Sequence, residues 1–140
     1  MTRLNVPVEE YTTPNPVTAS EETNVTTLGA LMTKHGIRHI PIVRGGNVVG
    51  IVSDRDLKVV TGLNFRENDA IRAVDIMAHD PVTVRSDAQR DEVAYEMANR
   101  KIGSVIVNDA EGFMGIFTVS DALNALIEIA RGQSYEAERK

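Results

Sequence analysis

The sequence predicts an α+β fold made of two similar units, each with the element order βαββα. The first observation behind this prediction is a motif, Gly-x-x-Ser/Thr-x-x-Asp, that ends an apolar strand and opens a helical pattern. It occurs twice with a constant offset of 65 residues (115 − 50), at Gly50, Ser53 and Asp56 and again at Gly115, Thr118 and Asp121. An ungapped offset within one chain is typical of an internal repeat.

The second observation is that the repeat extends backwards from this motif. Pro16-Val17-Thr18 returns as Pro81-Val82-Thr83, and the strand-like stretches 38–43 and 103–108 align at the same offset. The third is the short length of each unit, which could bury little surface alone. The sequence therefore predicts two small α+β units packed on each other.

The composition limits the function classes that the chain can serve. With 140 residues, 42% of them apolar, it can form one compact domain or two small intimate ones. The net charge of −5 and the lack of a long Lys/Arg run disfavour a broad surface for nucleic acid or anionic lipid. Cysteine is absent, which excludes disulfides, thiol nucleophiles and thiolate metal ligands.

Targeting signals are also missing from the sequence. The first ten residues have neither an apolar signal core nor an Arg-rich transit pattern. No apolar run approaches the roughly 20 residues that a membrane span needs. We therefore expect a soluble, cytoplasmic protein with no membrane partner.

The first unit is predicted over residues 9–62. Hydrophobic spacing, turn residues and caps define its elements, with Thr23 or Asn24 as the N-cap of the first helix. In order, they are a very short strand at 17–18, a helix through 25–32 ended by Gly36, a hairpin of strands 37–43 and 48–52, and a helix over 54–61 ended by Gly62.

A polar linker over 63–73 leads to the second unit, predicted over 74–131, and a charged tail over 132–140 follows. Ser86 and Gln89 are spaced as a capping box for a helix over 87–100. The predicted elements are a short helix over 72–78, a strand at 82–84, the helix over 87–100, a hairpin of strands 104–108 and 113–117, and a helix over about 119–131.

The last helix is apolar on more than one face. Ala122, Leu126 and Ile129 form one stripe, and Leu123, Ile127 and Ala130 form another. One stripe can cover the core of the unit. The other needs a second partner, for which the N-terminal segment of this chain and a second subunit are equal candidates. We expect the N-terminal segment, residues 1–15, to lie over the second unit.

The repeated motif has the chemistry of a nucleotide site. A helix that begins at Ser53 or Thr118 offers backbone N–H groups and a positive dipole end to a phosphate. Asp56 and Asp121 lie in the first turn, where a carboxylate can accept hydrogen bonds from both hydroxyls of a ribose. The glycine before the hydroxyl lets a ligand or a neighbouring backbone approach closely.

A purely structural interpretation of the same residues is also open. Ser or Thr followed three residues later by Asp is close to a capping box, in which both side chains only satisfy the N–H groups of their own helix. The repeat of the motif weakens this interpretation, but the spacing alone leaves both open.

Together these motifs resemble the tandem cystathionine-β-synthase-type domain pair, the CBS pair or Bateman module, over about residues 9–126. The shared motifs are the two Pro-Val-Thr stretches, Ile-Arg-His-Ile-Pro-Ile-Val at 37–43, Ile-Gly-Ser-Val-Ile-Val at 102–107, and Gly-x-x-Ser/Thr-x-x-Asp in both units. The resemblance implies a stand-alone pair with a pseudo-twofold axis, three-stranded sheets packed together, helices outside, and two clefts that bind AMP, ADP, ATP or S-adenosylmethionine.

The resemblance also implies a site in each repeat and a homodimer of modules. In the family the Ser/Thr of the motif meets phosphate, the Asp meets ribose, and strand residues surround the base. Carried onto this chain, the first site comprises Thr18, Arg38, His39, Ile40, Pro41, Ser53, Arg55 and Asp56. The second comprises Thr83, Gly103, Ser104, Val105, Thr118, Ser120 and Asp121.

The two sites are predicted to differ. Arg55 supplies a guanidinium beside Ser53, whereas Ser120, at the aligned position, is neutral. Arg38 likewise aligns with Gly103. We expect the Asp56 site to prefer the more highly phosphorylated ligand. Alternatively, the two arginines are exposed charges that pair weakly with Asp54 or Glu22.

No cofactor is required by this interpretation. Three scattered histidines without HxxxH or HxH spacing predict no built-in metal site, although phosphate-bound Mg²⁺ would need few protein ligands. Catalysis is not expected, because the chain lacks a cysteine, a Gly-x-Ser-x-Gly elbow and a Gly-x-x-x-x-Gly-Lys loop, and His39 is the sole candidate base for Ser53.

The main hypothesis is a regulatory protein that binds an adenosine compound and signals energy or metabolite status to an unknown downstream protein. The runner-up is a ligand-free structural or interaction module that uses the apolar last helix. A nucleic-acid binder using Arg38, Arg44 and Arg55 is a third hypothesis, which the acidic balance disfavours.

Overall fold

The chain folds into two compact units in the computed structural model, which describes residues 5–63 and 70–139. The first unit is Asn15–Pro81. The second combines residues 82–139 with the N-terminal residues 5–14, as expected for that segment. Residues 64–69 of the predicted linker lie outside the described part of the chain, so the predicted linker boundaries stay a prediction.

The first unit consists of seven elements: β2 (Ala19–Ser20), α1 (Val25–His35), β3 (His39–Arg44), β4 (Asn47–Ser53), α2 (Asp54–Leu63), α3 (Ala73–Ile76) and β5 (Ala78–His79). Its strands form a four-stranded mixed sheet with the order β2-β3-β4-β5. β2 runs parallel to β3, and the other neighbours are antiparallel.

The second unit consists of a 3-10 helix at Val8–Glu10, β1 (Thr13–Pro14), β6 (Thr83–Arg85), α4 (Arg90–Arg100), β7 (Ser104–Asp109), β8 (Gly112–Thr118) and α5 (Val119–Arg139). Its strands form a matching sheet with the order β1-β8-β7-β6. β6 runs parallel to β7, while β1 and β7 are antiparallel to β8.

These elements confirm the predicted α+β class and the βαββα order of both repeats. Each sheet, however, has four strands and not the three that the resemblance implied. The additional strands are β1 and β5, which pair with the middle of β8 and of β4. Each is two residues long, too short to carry the alternating pattern that identifies a strand in a sequence.

The local signals for α1 and for both hairpins are confirmed. Asn24 caps α1, its side-chain oxygen accepting a hydrogen bond of 2.9 Å from the Thr27 N–H. Gly36 ends the helix in the left-handed conformation, with φ of 62°. The hairpin turns at Gly45 and Gly46, which both have positive φ, as the predicted turn requires.

The predicted capping box of Ser86 and Gln89 is wrong. α4 begins at Arg90, and Gln89 makes no side-chain cap bond. The backbone before the helix is instead paired with the N-terminal segment: the Val8 N–H donates to the Ala88 carbonyl at 2.7 Å, and the Arg90 N–H donates to the Val6 carbonyl at 2.8 Å. This long-range pairing holds Gln89 extended, after a turn at residues 86–87, and keeps residues 86–89 out of the helix.

Several predicted boundaries also shift. The first short strand lies at Ala19–Ser20 rather than 17–18, and the helix expected over 72–78 covers only Ala73–Ile76. Gly62 lies inside α2 instead of ending it. α5 continues to Arg139 through most of the predicted tail, because residues 133–139 contain no proline and include good helix formers.

Each unit has its own apolar core. In the first unit the core lies between the sheet and α1, with Leu28, Ile40, Ile42 and Val52 fully buried. In the second unit it is formed by Val8, Val93, Met97, Val105, Val107 and Phe117. The N-terminal segment therefore contributes a buried residue, Val8, to the core of the second unit.

The last helix uses only part of its apolar surface. Ala125 is buried, and Ala122 and Ile129 are half-buried, whereas Leu126, which the sequence pattern placed in one stripe with Ala122 and Ile129, is 60% exposed. A one-residue rotation of the stripe explains this difference, because Ala125 lies close to Ala122 and Ile129 on a helix surface. The second stripe stays exposed, so residues 5–14 of the N-terminal segment do not cover it.

The glycine of each motif is required by a neighbouring strand. A Cβ at Gly115 would overlap the backbone carbonyl of Thr13 in β1. A Cβ at Gly50 would overlap the Met77 side chain and touch the carbonyl of Ala78 at the start of β5. The sequence predicted that each glycine allows either a ligand or a neighbouring backbone to approach closely. In the structure a neighbouring backbone does so at both positions.

Candidate ligand-binding sites

The motif of the first unit forms a reciprocal pair of hydrogen bonds at the start of α2. The Ser53 N–H donates to Asp56 Oδ2 at 2.9 Å, and the Asp56 N–H donates to Ser53 Oγ at 3.2 Å. This is the capping box of the structural interpretation. Asp56 still keeps unused acceptor positions, since a carboxylate has about four of them.

The motif of the second unit forms the same box and two further bonds. The Thr118 N–H donates to Asp121 Oδ2 at 2.9 Å and the Asp121 N–H donates to Thr118 Oγ1 at 3.3 Å. In addition, the Thr118 hydroxyl donates to Asp121 Oδ2 at 3.1 Å, and the Thr13 hydroxyl of β1 donates to Asp121 Oδ1 at 3.3 Å. The two carboxylates therefore differ in how many acceptor positions are left.

The helix starts offer fewer backbone donors to a phosphate than the sequence suggested. The Asp54 N–H of α2 donates to the Arg38 carbonyl at 2.8 Å, and the Val119 N–H of α5 donates to the Gly103 carbonyl at 3.1 Å. With the Asp56 and Asp121 N–H groups bonded to the hydroxyls, two of the first three N–H groups in each helix are already satisfied. The positive dipole end remains.

The strand residues of the predicted sites lie beside the motifs. His39 of β3 pairs with Ser53 of β4, and Ser104 of β7 pairs with Thr118 of β8. β2 pairs with β3 only from Ile42 onward. The backbone of residues 39–41 in β3 is therefore not covered by β2 on that edge of the sheet, and a planar base could reach it there.

Burial limits what three of these residues can offer. Ile40, Pro41 and Val105 have buried side chains, so only their backbone could contact a ligand. His39 and Ser104 are half-buried, and Gly103 is exposed. Thr18 and Thr83 are exposed; Thr83 begins β6, while Thr18 lies just before β2 rather than in a strand.

Charge is distributed unequally between the two units. Arg38 and Arg55 are exposed, and their aligned partners Gly103 and Ser120 are neutral. The alternative ion pairs are not formed: Asp54 binds Lys58 at 3.0 Å and Glu22 binds Arg72 at 2.6 Å. Within residues 5–63 and 70–139, no ion pair involves Arg38 or Arg55.

His39 lies in the electrostatic field of the first motif. Burial lowers the pKa of its imidazole below the usual value, the carboxylate of Asp56 opposes this shift, and Arg38 adds to it. The other two histidines, His35 and His79, are exposed, and His79 lies in β5.

Sequence reasoning missed two polar groups of the second unit. One is Thr13, which the β1 pairing brings to Asp121. The other is Arg90, a buried cation whose guanidinium lies 5.3 Å from the centroid of the Tyr11 ring and binds Asp91 at 2.9 Å. No local pattern signals the Thr13–Asp121 contact or the Arg90–Tyr11 contact, because both depend on where the N-terminal segment lies.

The described residues lack two kinds of feature. They contain no group of three or more His, Cys, Asp or Glu side chains arranged to hold a metal ion. Among their helices, none combines the length and the apolar character needed to cross a membrane.

The family model of the CBS domain matches the chain twice, over residues 8–60 and 73–128. The chain belongs to the CBS-domain family. The CBS pair of MJ0100, whose structure is a complex with 5′-methylthioadenosine and S-adenosyl-L-methionine, is 27% identical. The likeness covers 86% of this chain and 95% of that one, with a TM-score of 0.77.

Two further similar proteins differ in how much of their own length this chain covers. AcuB from Vibrio cholerae has a TM-score of 0.86 at 29% identity, covering 94% of this chain and 99% of that one. An inosine-5′-monophosphate dehydrogenase from Korarchaeum cryptofilum is 32% identical over 114 residues, 81% of this chain. The CBS chain described here spans 23% of that dehydrogenase.

Proposed function

We propose that this CBS pair is a cytoplasmic regulatory module that binds adenosine-containing ligands at two sites. One site is built around Ser53 and Asp56, the other around Thr118 and Asp121. We assign the remaining predicted site residues to the same two sites. Ligand binding would change the stability or geometry of a homodimer that a downstream protein recognises.

The observation that carries the proposal is the free acceptor capacity of the two capped aspartates. The Asp56 cap uses Oδ2 for one hydrogen bond, and the Asp121 cap also uses only Oδ2. A carboxylate can therefore cap its helix and still accept a ribose hydroxyl. The structural and functional interpretations of the motif are compatible.

The adenosine class is supported by the MJ0100 pair, since both compounds in that complex contain adenosine. The exposed guanidinium groups of Arg38 and Arg55 support a preference of the Asp56 site for the more highly phosphorylated ligand. The Asp121 site has no such cations at the aligned positions, and we expect it to take a less charged adenosine compound.

A signal requires that the ligand bind two states of the module with different affinity. Binding to the folded state alone raises stability by RT ln(1 + [L]/Kd), or about 2.7 kcal/mol at a hundredfold excess over Kd. The first experiment is therefore a thermal-shift panel of AMP, ADP, ATP, S-adenosylmethionine, 5′-methylthioadenosine and NAD, each with and without Mg²⁺.

The panel is run on wild type, Asp56→Asn and Asp121→Asn. Asparagine keeps one oxygen for the cap but replaces the other with an NH₂ donor, which cannot accept a ribose hydroxyl. A shift of several degrees that one variant abolishes supports the proposal and identifies the site. Lower stability in both variants, with no ligand shift in any protein, would leave the aspartates as caps only.

The interaction module is the second candidate, because one observation favours it. Val119, Leu123, Leu126 and Ile127 of α5 are each 47% to 60% exposed and share one side of the helix. Such an apolar face is typical of a protein interface. It is also consistent with the homodimer of the main proposal, so the ligand panel decides between the two.

A further inference from the structure

The two aspartates of the CBS pair have different numbers of free acceptor positions. Asp121 Oδ2 accepts from both the N–H and the hydroxyl of Thr118, and Oδ1 accepts from the Thr13 hydroxyl. One of its four positions is left. Within the described part of the chain, Asp56 accepts a single bond, from the Ser53 N–H, which leaves three.

The strand β1 is the reason for the additional bond at Asp121. Thr13 pairs with Ile116 of β8, two residues before Thr118, and this register brings its hydroxyl to the carboxylate. β5 pairs in the same register in the first unit, where Ala78 lies opposite Ile51. Ala78 has no hydroxyl, so nothing from β5 can occupy Asp56 in this way.

A ribose offers two neighbouring hydroxyls, and holding both requires two free acceptor positions on one carboxylate. Asp56 has them, whereas Asp121 has one as long as Thr13 stays bonded. We propose that Thr13 sets the sugar selectivity of the second site: the Asp121 site holds one ribose hydroxyl and tolerates a 2′-deoxyribose, while the Asp56 site discriminates against it. This inference rests on the proposed function.

The test measures the affinity ratio of a ribose ligand to its 2′-deoxy form at each site by calorimetric titration. The probes are AMP with 2′-deoxy-AMP, and 5′-methylthioadenosine with its 2′-deoxy form. Asp121→Asn isolates the first site and Asp56→Asn isolates the second. Losing a hydrogen bond to a charged group costs roughly a factor of ten or more, so we expect that ratio at the Asp56 site. At the Asp121 site we expect a ratio below about three.

Two substitutions then exchange the threonine hydroxyl between the units: one removes it from β1 and the other introduces it in β5. In the Asp56→Asn background, Thr13→Val keeps the shape and the β-branched character of the residue but removes the hydroxyl. It should tighten the ribose ligand and raise the ratio to roughly ten. In the Asp121→Asn background, Ala78→Thr should lower the ratio at the Asp56 site. A merely structural role of Thr13 would not move this ratio.

The outcomes separate the two proposals. If ligand binds and Thr13→Val leaves the ratio unchanged, Thr13 has no role in selectivity and only this inference is overturned. If Thr13→Val does not fold, an unchanged ratio in Ala78→Thr overturns it equally. If neither ligand pair binds at either site, the proposed function fails and this inference fails with it.

Discussion

Gly115 of β8 lies against the backbone carbonyl of Thr13, with no room for a Cβ between them. β1 pairs with β8 at this point. We expect Gly115→Ala to displace β1 and to lower the free energy of unfolding by about 1–3 kcal/mol, the usual cost of overpacking. Urea unfolding monitored by circular dichroism measures the loss.

Gly29 in α1 is the matched control for this substitution. A Cβ there meets no atom within 4 Å. Gly29→Ala should therefore raise the free energy of unfolding by roughly 0.5–1 kcal/mol, because alanine is the better helix former. Equal effects of the two substitutions would show that β1 does not press on Gly115.

A second prediction concerns Arg90, whose side chain is only 6% exposed. Its aligned position in the first unit is the buried Val25. Arg90→Met should change the unfolding free energy little, because methionine keeps the packing of the buried side-chain stem and the carboxylate left behind, Asp91, is exposed to solvent. Arg90→Ala should cost about 2–4 kcal/mol, since it also removes the packing of the side-chain stem.

The same urea titrations test this pair of variants. Asp91→Asn is the control, because Asp91 is 67% exposed and surface ion pairs contribute at most about 1 kcal/mol. If Arg90→Met were as destabilising as Arg90→Ala, the guanidinium contacts with Tyr11 and Asp91 would dominate over packing.

A third prediction is a pH dependence that comes from His39. Burial lowers the pKa of this imidazole in the folded state, so the unfolded chain binds the proton at higher pH than the folded chain does. As the pH falls below about 6.5, the unfolded state is therefore stabilised and the free energy of unfolding decreases until the folded pKa is reached. His39→Gln should remove this loss.

The free energy of unfolding is measured in urea at neutral pH and again about two pH units lower. His79→Gln, an exposed histidine of the same unit, is the control and should keep the wild-type pH dependence. A wild-type slope in His39→Gln would assign the dependence to another group.

A fourth prediction tests the apolar face of α5. If this face forms the homodimer interface, the double substitution Leu123→Glu and Leu126→Glu places four like charges at a symmetric contact and should give a monomer. Light scattering after size exclusion measures the mass. Tyr95→Glu, on the exposed surface of α4, should leave the mass unchanged. A monomeric wild type would remove the dimer from the proposed function.

Local sequence patterns were sufficient for most of the elements. The N-cap at Asn24, the left-handed Gly36 and both hairpins are encoded by residues within a few positions of each other, so they could be predicted without any tertiary contact. The errors cluster where a distant segment intervenes. α4 starts late because residues 86–89 pair with the N-terminal segment.

In the candidate sites, too, some residues could be predicted from local spacing and others only from tertiary contacts. The repeat offset alone identified Ser53, Asp56, Thr118 and Asp121, and the structure gives both pairs the same capping geometry. The role of Ile40 could not be predicted from the sequence. An isoleucine in a strand gives the same sequence pattern whether its side chain packs in the core or contacts a ligand. Its full burial restricts it to backbone contacts.

The sequence by itself determined the repeat, the α+β class and the position of a hydroxyl and a carboxylate at the start of α2 and α5, because each depends on short-range spacing. Only the tertiary structure decided which neighbours these groups have. β1 and β5 are two-residue strands with no sequence signal, yet one brings Thr13 to Asp121 and the other brings Ala78 to the same place in the first unit. Long-range pairing, which no local pattern encodes, thus distinguishes two motifs that look alike in the sequence.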